Sequence, residues 1–257
     1  MAGKKRSLKR AIILIVTWVL LLVLFLSFLS ILQSFFAHDP QGETILSQSW
    51  AGYIISRSDE PKVQVTAINA SWVVPVVNAS LAPDFASVWI GVGGQLDHTL
   101  IQVGTEQDAF NGSTTYYAWY ELLPSFAVRI GTLAVSPGDV VVASLRLIDS
   151  AANRWSIQIS DSTTRQYFGT AVTYNSTGSS GEWIIERPTV DNRLTALADF
   201  GRVSFSGCHL SSHNVSGSIK LFYYSRVEMT NNALTTQLTS VSTLTADGTG
   251  FSVSYIS

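Results

Sequence analysis

The chain has 257 residues, of which 46% are hydrophobic and only 13% charged, with a formal net charge of −2. Five of its sixteen basic residues fall before residue 11, leaving eleven Lys and Arg to face all eighteen acids, so the remainder carries a formal charge near −7. Such a surface has no basic stripe for nucleic acid, and the single cysteine, Cys208, excludes an intrachain disulfide or a cysteine-based zinc cage.

Residues 1–10 (MAGKKRSLKR) form a basic flank. Residues 11–37 follow with 27 positions free of formal charge. About 20 apolar residues span a bilayer, whereas the apolar region of a signal peptide is about 7–15 residues. Phe35 also occupies a position where a cleavage site wants a small residue. The expectation is one transmembrane helix acting as an uncleaved signal anchor. The basic flank stays cytoplasmic, and everything beyond residue 40 lies on the extracellular side. Residues 38–48 (HDPQGETILSQ) read as a polar stalk, and 49–257 as a single domain. Five N-x-S/T sequons, at Asn69, Asn78, Asn111, Asn175 and Asn214, agree with external exposure.

The domain is a succession of short β-rich runs: KVQVTAINASWVV, TTYYAWYELL, DVVVASLRLI, WSIQIS, RVSFSG and FSVSYI. Turns such as SPGD (Ser136 to Asp139) and DGTG (Asp247 to Gly250) bound them, and no window sustains a helical period. The fold class expected is all-β, an antiparallel sandwich or barrel.

Strand parity sorts the polar residues. In GEWIIERP, Glu182, Ile184 and Glu186 share one face, while Trp183 and Ile185 point to the core. In TTYYAWYELLP, Tyr117, Trp119 and Glu121 share a face, opposite Tyr116, Ala118, Tyr120 and Leu122. In TLIQVG, Gln102 lies on the face of Leu100, and Trp50 opens the first strand in SWAGY. No G-x-S-x-G, H-E-x-x-H, P-loop or G-x-G-x-x-G occurs. The pair His209 and His213 sits in a Ser/Asn-rich turn and reads as solvated, so no metal and no cofactor are expected.

As a set, SWAGY, SWVVP, SVWIGVGG, LIQVGT, YYAWYELLP, SPGD, GEWIIERP and ALADFGRVSF resemble the glutamic peptidases, or eqolisins, in order and spacing. The resemblance implies a concanavalin-like jelly roll of two curved antiparallel sheets, with the catalytic residues on a concave face. It implies that Gln102 and Glu182 are catalytic, and that Trp50, Trp119, Glu121 and Glu186 line or support a substrate cleft, with Tyr117 beside Trp119. Polypeptides are the substrates implied, and acid the working medium. A glutamate near pKa 4.3 holds or releases a proton in acid, and a glutamine adds an uncharged donor for the oxyanion. One departure concerns Gly93, which stands where family members carry an aspartate that orients the glutamine; Asp97 is the substitute expected here.

Two other readings compete. A sandwich glycosidase of the laminarinase type needs E-x-D-x-x-E, but Ile184 fills the aspartate's place. Residues four apart on a strand also sit about 13 Å apart, against about 5–5.5 Å for a retaining pair. A membrane-tethered carbohydrate-binding or adhesion module, an inactive homologue, would use Trp50, Tyr117 and Trp119 as stacking platforms but would need neither Gln102 nor Glu182.

Overall fold

A computed structural model of the chain describes residues 41–56, 63–213 and 215–256. The expected basic flank and anchor, residues 1–37, lie outside the described residues. Within those residues no helix is long and apolar enough to cross a membrane.

In chain order the strands are β1 (Gln41–Ser47), β2 (Trp50–Ser56), β3 (Val65–Val73), β4 (Asp84–Gly93), β5 (Leu100–Phe110), β6 (Ser113–Leu122) and β7 (Val128–Arg129). They continue as β8 (Val140–Asp149), β9 (Arg154–Asp161), β10 (Gln166–Thr173), β11 (Ser180–Glu186), β12 (Thr189–Val190), β13 (Arg193–Leu194) and β14 (Ala196–Leu197). The last are β15 (Arg202–Ser212), β16 (Ser216–Ser218), β17 (Tyr224–Met229), β18 (Thr239–Val241) and β19 (Phe251–Tyr255). A 3-10 turn at Ile219–Leu221 is the one helical element among the described residues.

Two sheets face each other. One runs β1-β17-β2-β11-β4-β5-β6-β7, with β14 beside β4; the other runs β10-β9-β8-β3-β15-β19-β18, with β16 beside β15. Pairing is antiparallel as expected, except that β1 lies parallel to β17 and β14 parallel to β4. Residues 41–47, expected within a stalk, are therefore an edge strand of the sandwich. The sequence there gives no turn that announces a partner almost two hundred residues away.

Local chemistry fixes several connections. Asn111 and Gly112 both have positive φ, 53° and 75°, and join Phe110 to Ser113 in a two-residue hairpin. Asn-Gly suits the type I′ turn, which matches the right-handed twist of the strands. In SPGD the Asp139 carboxylate accepts from the Ser136 N–H at 2.7 Å, and Gly138 supplies φ 91°.

The core between the sheets holds Trp72, Trp155, Trp183, Ile185, Ile90, Val103, Ala118, Phe205 and Val253, all buried. Each large apolar side chain there stabilises the fold by roughly 1.5–3 kcal/mol. The Trp183 indole N–H donates to the Asn69 carbonyl at 3.1 Å, and the Trp72 indole to the Thr105 hydroxyl at 3.1 Å, so both tryptophans tie one sheet to the other. Trp183 and Ile185 thus take the core side that parity predicts, which sends Glu182, Ile184 and Glu186 to the opposite face.

Candidate active site

Register across β2, β11, β4, β5 and β6 builds that opposite face in rows. The first row is Ile54, Glu182, Gly91, Gln102 and Glu121. Two residues along comes Gly52, Ile184, Trp89, Gly104 and Trp119, and then Trp50, Glu186, Ser87, Glu106 and Tyr117. The middle row is apolar: Ile184, Trp89 and Trp119 pack with Ile54, Leu100 and Val227 in a second cluster, separate from the inter-sheet core. Gly104 makes space for it, because a Cβ there would stand 2.6 Å from the Trp89 Cβ. An apolar spine therefore separates two polar rows.

In the first row Gln102 is 4% exposed, and its Nε2 donates to Glu121 Oε2 at 2.5 Å. An amide nitrogen has two N–H donors, so one remains. Gln102 Oε1 is buried without a hydrogen-bond partner. Glu182 is 0% exposed, and neither carboxyl oxygen has a partner within hydrogen-bonding geometry. Burial holds its carboxyl well above the usual carboxylate range; the nearby Ser180 hydroxyl opposes this and the charge of Asp97 adds to it. Gly91 sits between Glu182 and Gln102. A Cβ there would meet Leu100 Cδ1 at 2.9 Å and Glu182 Oε2 at 3.3 Å, so the missing side chain leaves the carboxyl room to lean toward Gln102.

The structure revises the expectation for Asp97. It accepts from the Thr99 N–H and hydroxyl at 2.7 and 2.6 Å, from Thr177 Oγ1 at 2.6 Å and from Ser179 Oγ at 2.8 Å. These bonds outweigh burial and lower its pKa to about 2. Asp97 thus clamps two loops together, while Glu121 is the residue bonded to Gln102. Gly93 also admits no acid on this backbone: its φ is 88°, and a Cβ would lie 2.0 Å from the Thr99 carbonyl oxygen.

A cleft of about 380 Å³ opens over the rows, lined by Trp50, Gln102, Tyr117, Trp119, Glu121 and Glu186 among others. Six of the seven sequence-predicted site residues meet there. Glu182 shares their face of the sheet but is sealed from the cleft instead of lining it, because Leu100 and Trp89 crowd the space above Gly91.

The third row holds a carboxyl cluster in which sequence reading singled out Glu186 but not Glu106. Ser87 donates to Glu106 Oε2 at 2.7 Å, and the Trp89 indole donates to Glu186 Oε2 at 2.7 Å. Burial pushes Glu186 up to about 7, against the opposing Trp89 and Trp50 indoles. Burial, then the neighbouring Asp108, raises Glu106 well above the usual range, and Asp108 itself rises to about 6 through burial. Burial also raises Glu121, against its bonds from Gln102 and Ala127. Parity could have found Glu106, four residues past Gln102 on the same strand. Trp50 meets Trp89 edge to face with centroids 5.2 Å apart, and the Arg129 guanidinium lies 4.7 Å from the centre of the Tyr117 ring. His209 and His213 are both exposed, and among the described residues no His, Cys, Asp or Glu cluster is arranged to hold a metal ion.

Residues 48–255 match the Peptidase A4 family. The chain belongs to that family. It is 29% identical over 136 residues to aspergillopepsin-2 of Aspergillus niger, an alignment covering 49% of this chain and 46% of the relative, so the chain spans about half the length of the curated relative it matches. Among solved structures it resembles scytalido-glutamic peptidase with a peptide-based transition state analog, at TM-score 0.68 and 21% identity over 82% of this chain and 99% of that one. Aspergilloglutamic peptidase from Aspergillus niger follows at TM-score 0.59 and 23% identity, covering 67% and 99%. Both likenesses are of fold.

Proposed function

We propose that the protein is a glutamic-type endopeptidase that works in acid, with Glu182 and Gln102 as its catalytic pair. The observation that carries this reading is the row Glu182, Gly91, Gln102, Glu121: a buried carboxyl and an anchored amide separated only by a glycine. Family membership supports peptide hydrolysis as the reaction.

The residues suit the chemistry. Once water enters past Leu100 it relieves the burial that holds Glu182 protonated; the ionised carboxylate takes a proton from that water as the water oxygen attacks the peptide carbonyl carbon, and the carbonyl oxygen becomes an oxyanion. The second N–H of Gln102 donates to that oxyanion, while its unpartnered Oε1 accepts from the water. Glu182 then passes its proton to the nitrogen as the C–N bond breaks, leaving a carboxylic acid and an amine. Leu100 must turn aside for water to reach Glu182. The carboxyls around the cleft support acid operation: Glu106, Asp108, Glu121 and Glu186 share one face and all have raised pKa values, so acid relieves the repulsion among them.

Polypeptides are the substrates in this reading, with Trp50, Tyr117 and Trp119 supplying apolar surface along the cleft. The 27 uncharged residues 11–37 support a membrane tether that holds the domain on the extracellular side. The test is digestion of a denatured protein between pH 2 and 7, with and without a metal chelator and a thiol reagent. Cleavage in the acid half, indifferent to both reagents, is expected. No cleavage at any pH, or loss of cleavage with the chelator, would contradict the reading.

A further inference from the structure

The cleft over Gln102 does not stop at the third row. A second cavity, of about 650 Å³, shares Phe85, Tyr117 and Val190 with it and adds Asp108, Arg129 and Arg193. Arg129 comes from β7, which pairs with β6 so that Arg129 lies opposite Trp119. Arg193 comes from the β12–β13 hairpin, whose two-residue turn has Asp191 and Asn192 at φ 49° and 58°. Both arginines are exposed, and neither forms an ion pair among the described residues.

We propose that Arg129 and Arg193 form a subsite for a substrate carboxylate about four residues from the scissile bond. The spacing follows from strand geometry. Glu106 pairs with Tyr117 and lies four residues past Gln102, about 13 Å along the strand at 3.3 Å per residue. An extended peptide lying along β5 and β6 advances at the same rate, so its fourth residue from the dyad meets the Arg129 guanidinium stacked on Tyr117. Arginine's planar fork matches a carboxylate in two parallel hydrogen bonds.

The charges facing the subsite set its pH range. From β5 come Asp108 and Glu106, from β11 Glu186, from β6 the Tyr117 phenol, and from β7 and β13 the two arginines. Burial raises Asp108 to about 6 and Glu186 to about 7 and holds Glu106 well above the usual range, so these acids lose charge as the medium turns acid while the guanidinium groups keep theirs. Peptide carboxylates ionise near 3.3–4.3. Between about pH 4.5 and 6 the substrate carboxylate is charged while Asp108 and Glu186 are largely neutral.

This subsite rests on the endopeptidase reading, and its test separates the two. Matched peptides share one cleavable core and carry glutamate or glutamine at the fourth residue on either side, with amidated C-termini. A third peptide places a free C-terminal carboxylate there. At pH 5 the full-length protein is expected to prefer one glutamate peptide over its glutamine twin by about three- to tenfold in kcat/KM, the range of a partly solvated ion pair. A like preference for the third peptide would show that a chain terminus serves as well as a side chain. In Arg129→Gln/Arg193→Gln the ratio falls to about one. The same ratios are read as Kd by fluorescence anisotropy on Glu182→Gln protein, where no chemistry is needed. Absence of cleavage would then sink the peptidase reading while the binding ratio still decides the subsite. Equal values for both peptides, a preference that persists in the double variant, or no peptide binding at all would overturn it.

Discussion

Glu182 and Gln102 stand on either side of Gly91 in one cross-strand row, two strands apart, and the position between them contributes no side chain of its own. Strands lie about 4.8 Å apart, so the two backbones are separated by roughly 10 Å, a gap that two long side chains close only across a glycine. Gly91→Ala places a methyl group 2.7 Å from the Trp89 ring and 2.9 Å from Leu100. Overpacking of this kind costs about 1–3 kcal/mol. The expected result is a folded protein with a lower melting temperature and kcat reduced at least tenfold. Unchanged kcat would show that the gap is not needed.

Glu121 fixes one N–H of Gln102, and so the direction of the other. Glu121→Gln keeps the size but lets the two amides choose between orientations. An error near 1 Å in a catalytic group costs about 10²-fold. Steady-state kinetics on this variant are expected to show kcat lowered by tenfold or more with KM little changed. Asp97→Asn should instead lower thermal stability and, by removing a charge that helps to raise Glu182, move the acid limb of kcat to lower pH while leaving the maximal kcat little changed.

Leu100 helps seal Glu182 from the cleft. Leu100→Ala admits water, which weakens the burial that raises the carboxyl pKa. The group then ionises at lower pH, so the acid limb of kcat against pH moves down. A limb that stays in place would separate Leu100 from the proton-handling residue. Some stability is lost as well, about 2–5 kcal/mol for a large-to-small change in a packed cluster.

Stability itself depends on pH in two opposed ways. Glu186 rises from 4.5 to about 7 on folding, and Asp108 from 3.8 to about 6. Their native state binds the proton more tightly, so this stabilisation is complete below about 4 and is lost as pH climbs through 6 and 7. Asp97 falls from 3.8 to about 2, so its contribution is present above 3.8 and disappears as pH drops toward 2. Melting curves followed by circular dichroism should therefore show the highest Tm near pH 4–5, falling on both sides. A Tm that rises steadily to pH 8 would contradict the burial of these carboxyls.

Much of the site was legible in the sequence, because a strand's period of two is rigid. The faces of Trp183 and Glu182, of Gln102 and Leu100, and of Trp119 and Glu121 follow from parity alone. Even the partner of Gln102 lay within reach: a two-residue Asn111-Gly112 hairpin pairs Phe110 with Ser113, and counting back along both strands brings Gln102 opposite Glu121. The pairing of β11 with β4 joins segments about ninety residues apart with no turn between them, so the place of Gly91 was hidden. Burial of Glu182 was hidden too, since it depends on how Trp89 and Leu100 pack. The parallel pairing of β1 had no local cause to read.

The central claim is that Glu182 and Gln102 act as one unit. Its most direct test is kcat for the parent, Glu182→Gln, Gln102→Ala and the double variant on one peptide at the pH of greatest activity. Each single change is expected to lower kcat by about 10²–10³ or more, and the double change to add little beyond the worse single. Full activity in either single variant, or losses that multiply as for independent residues, would contradict the account.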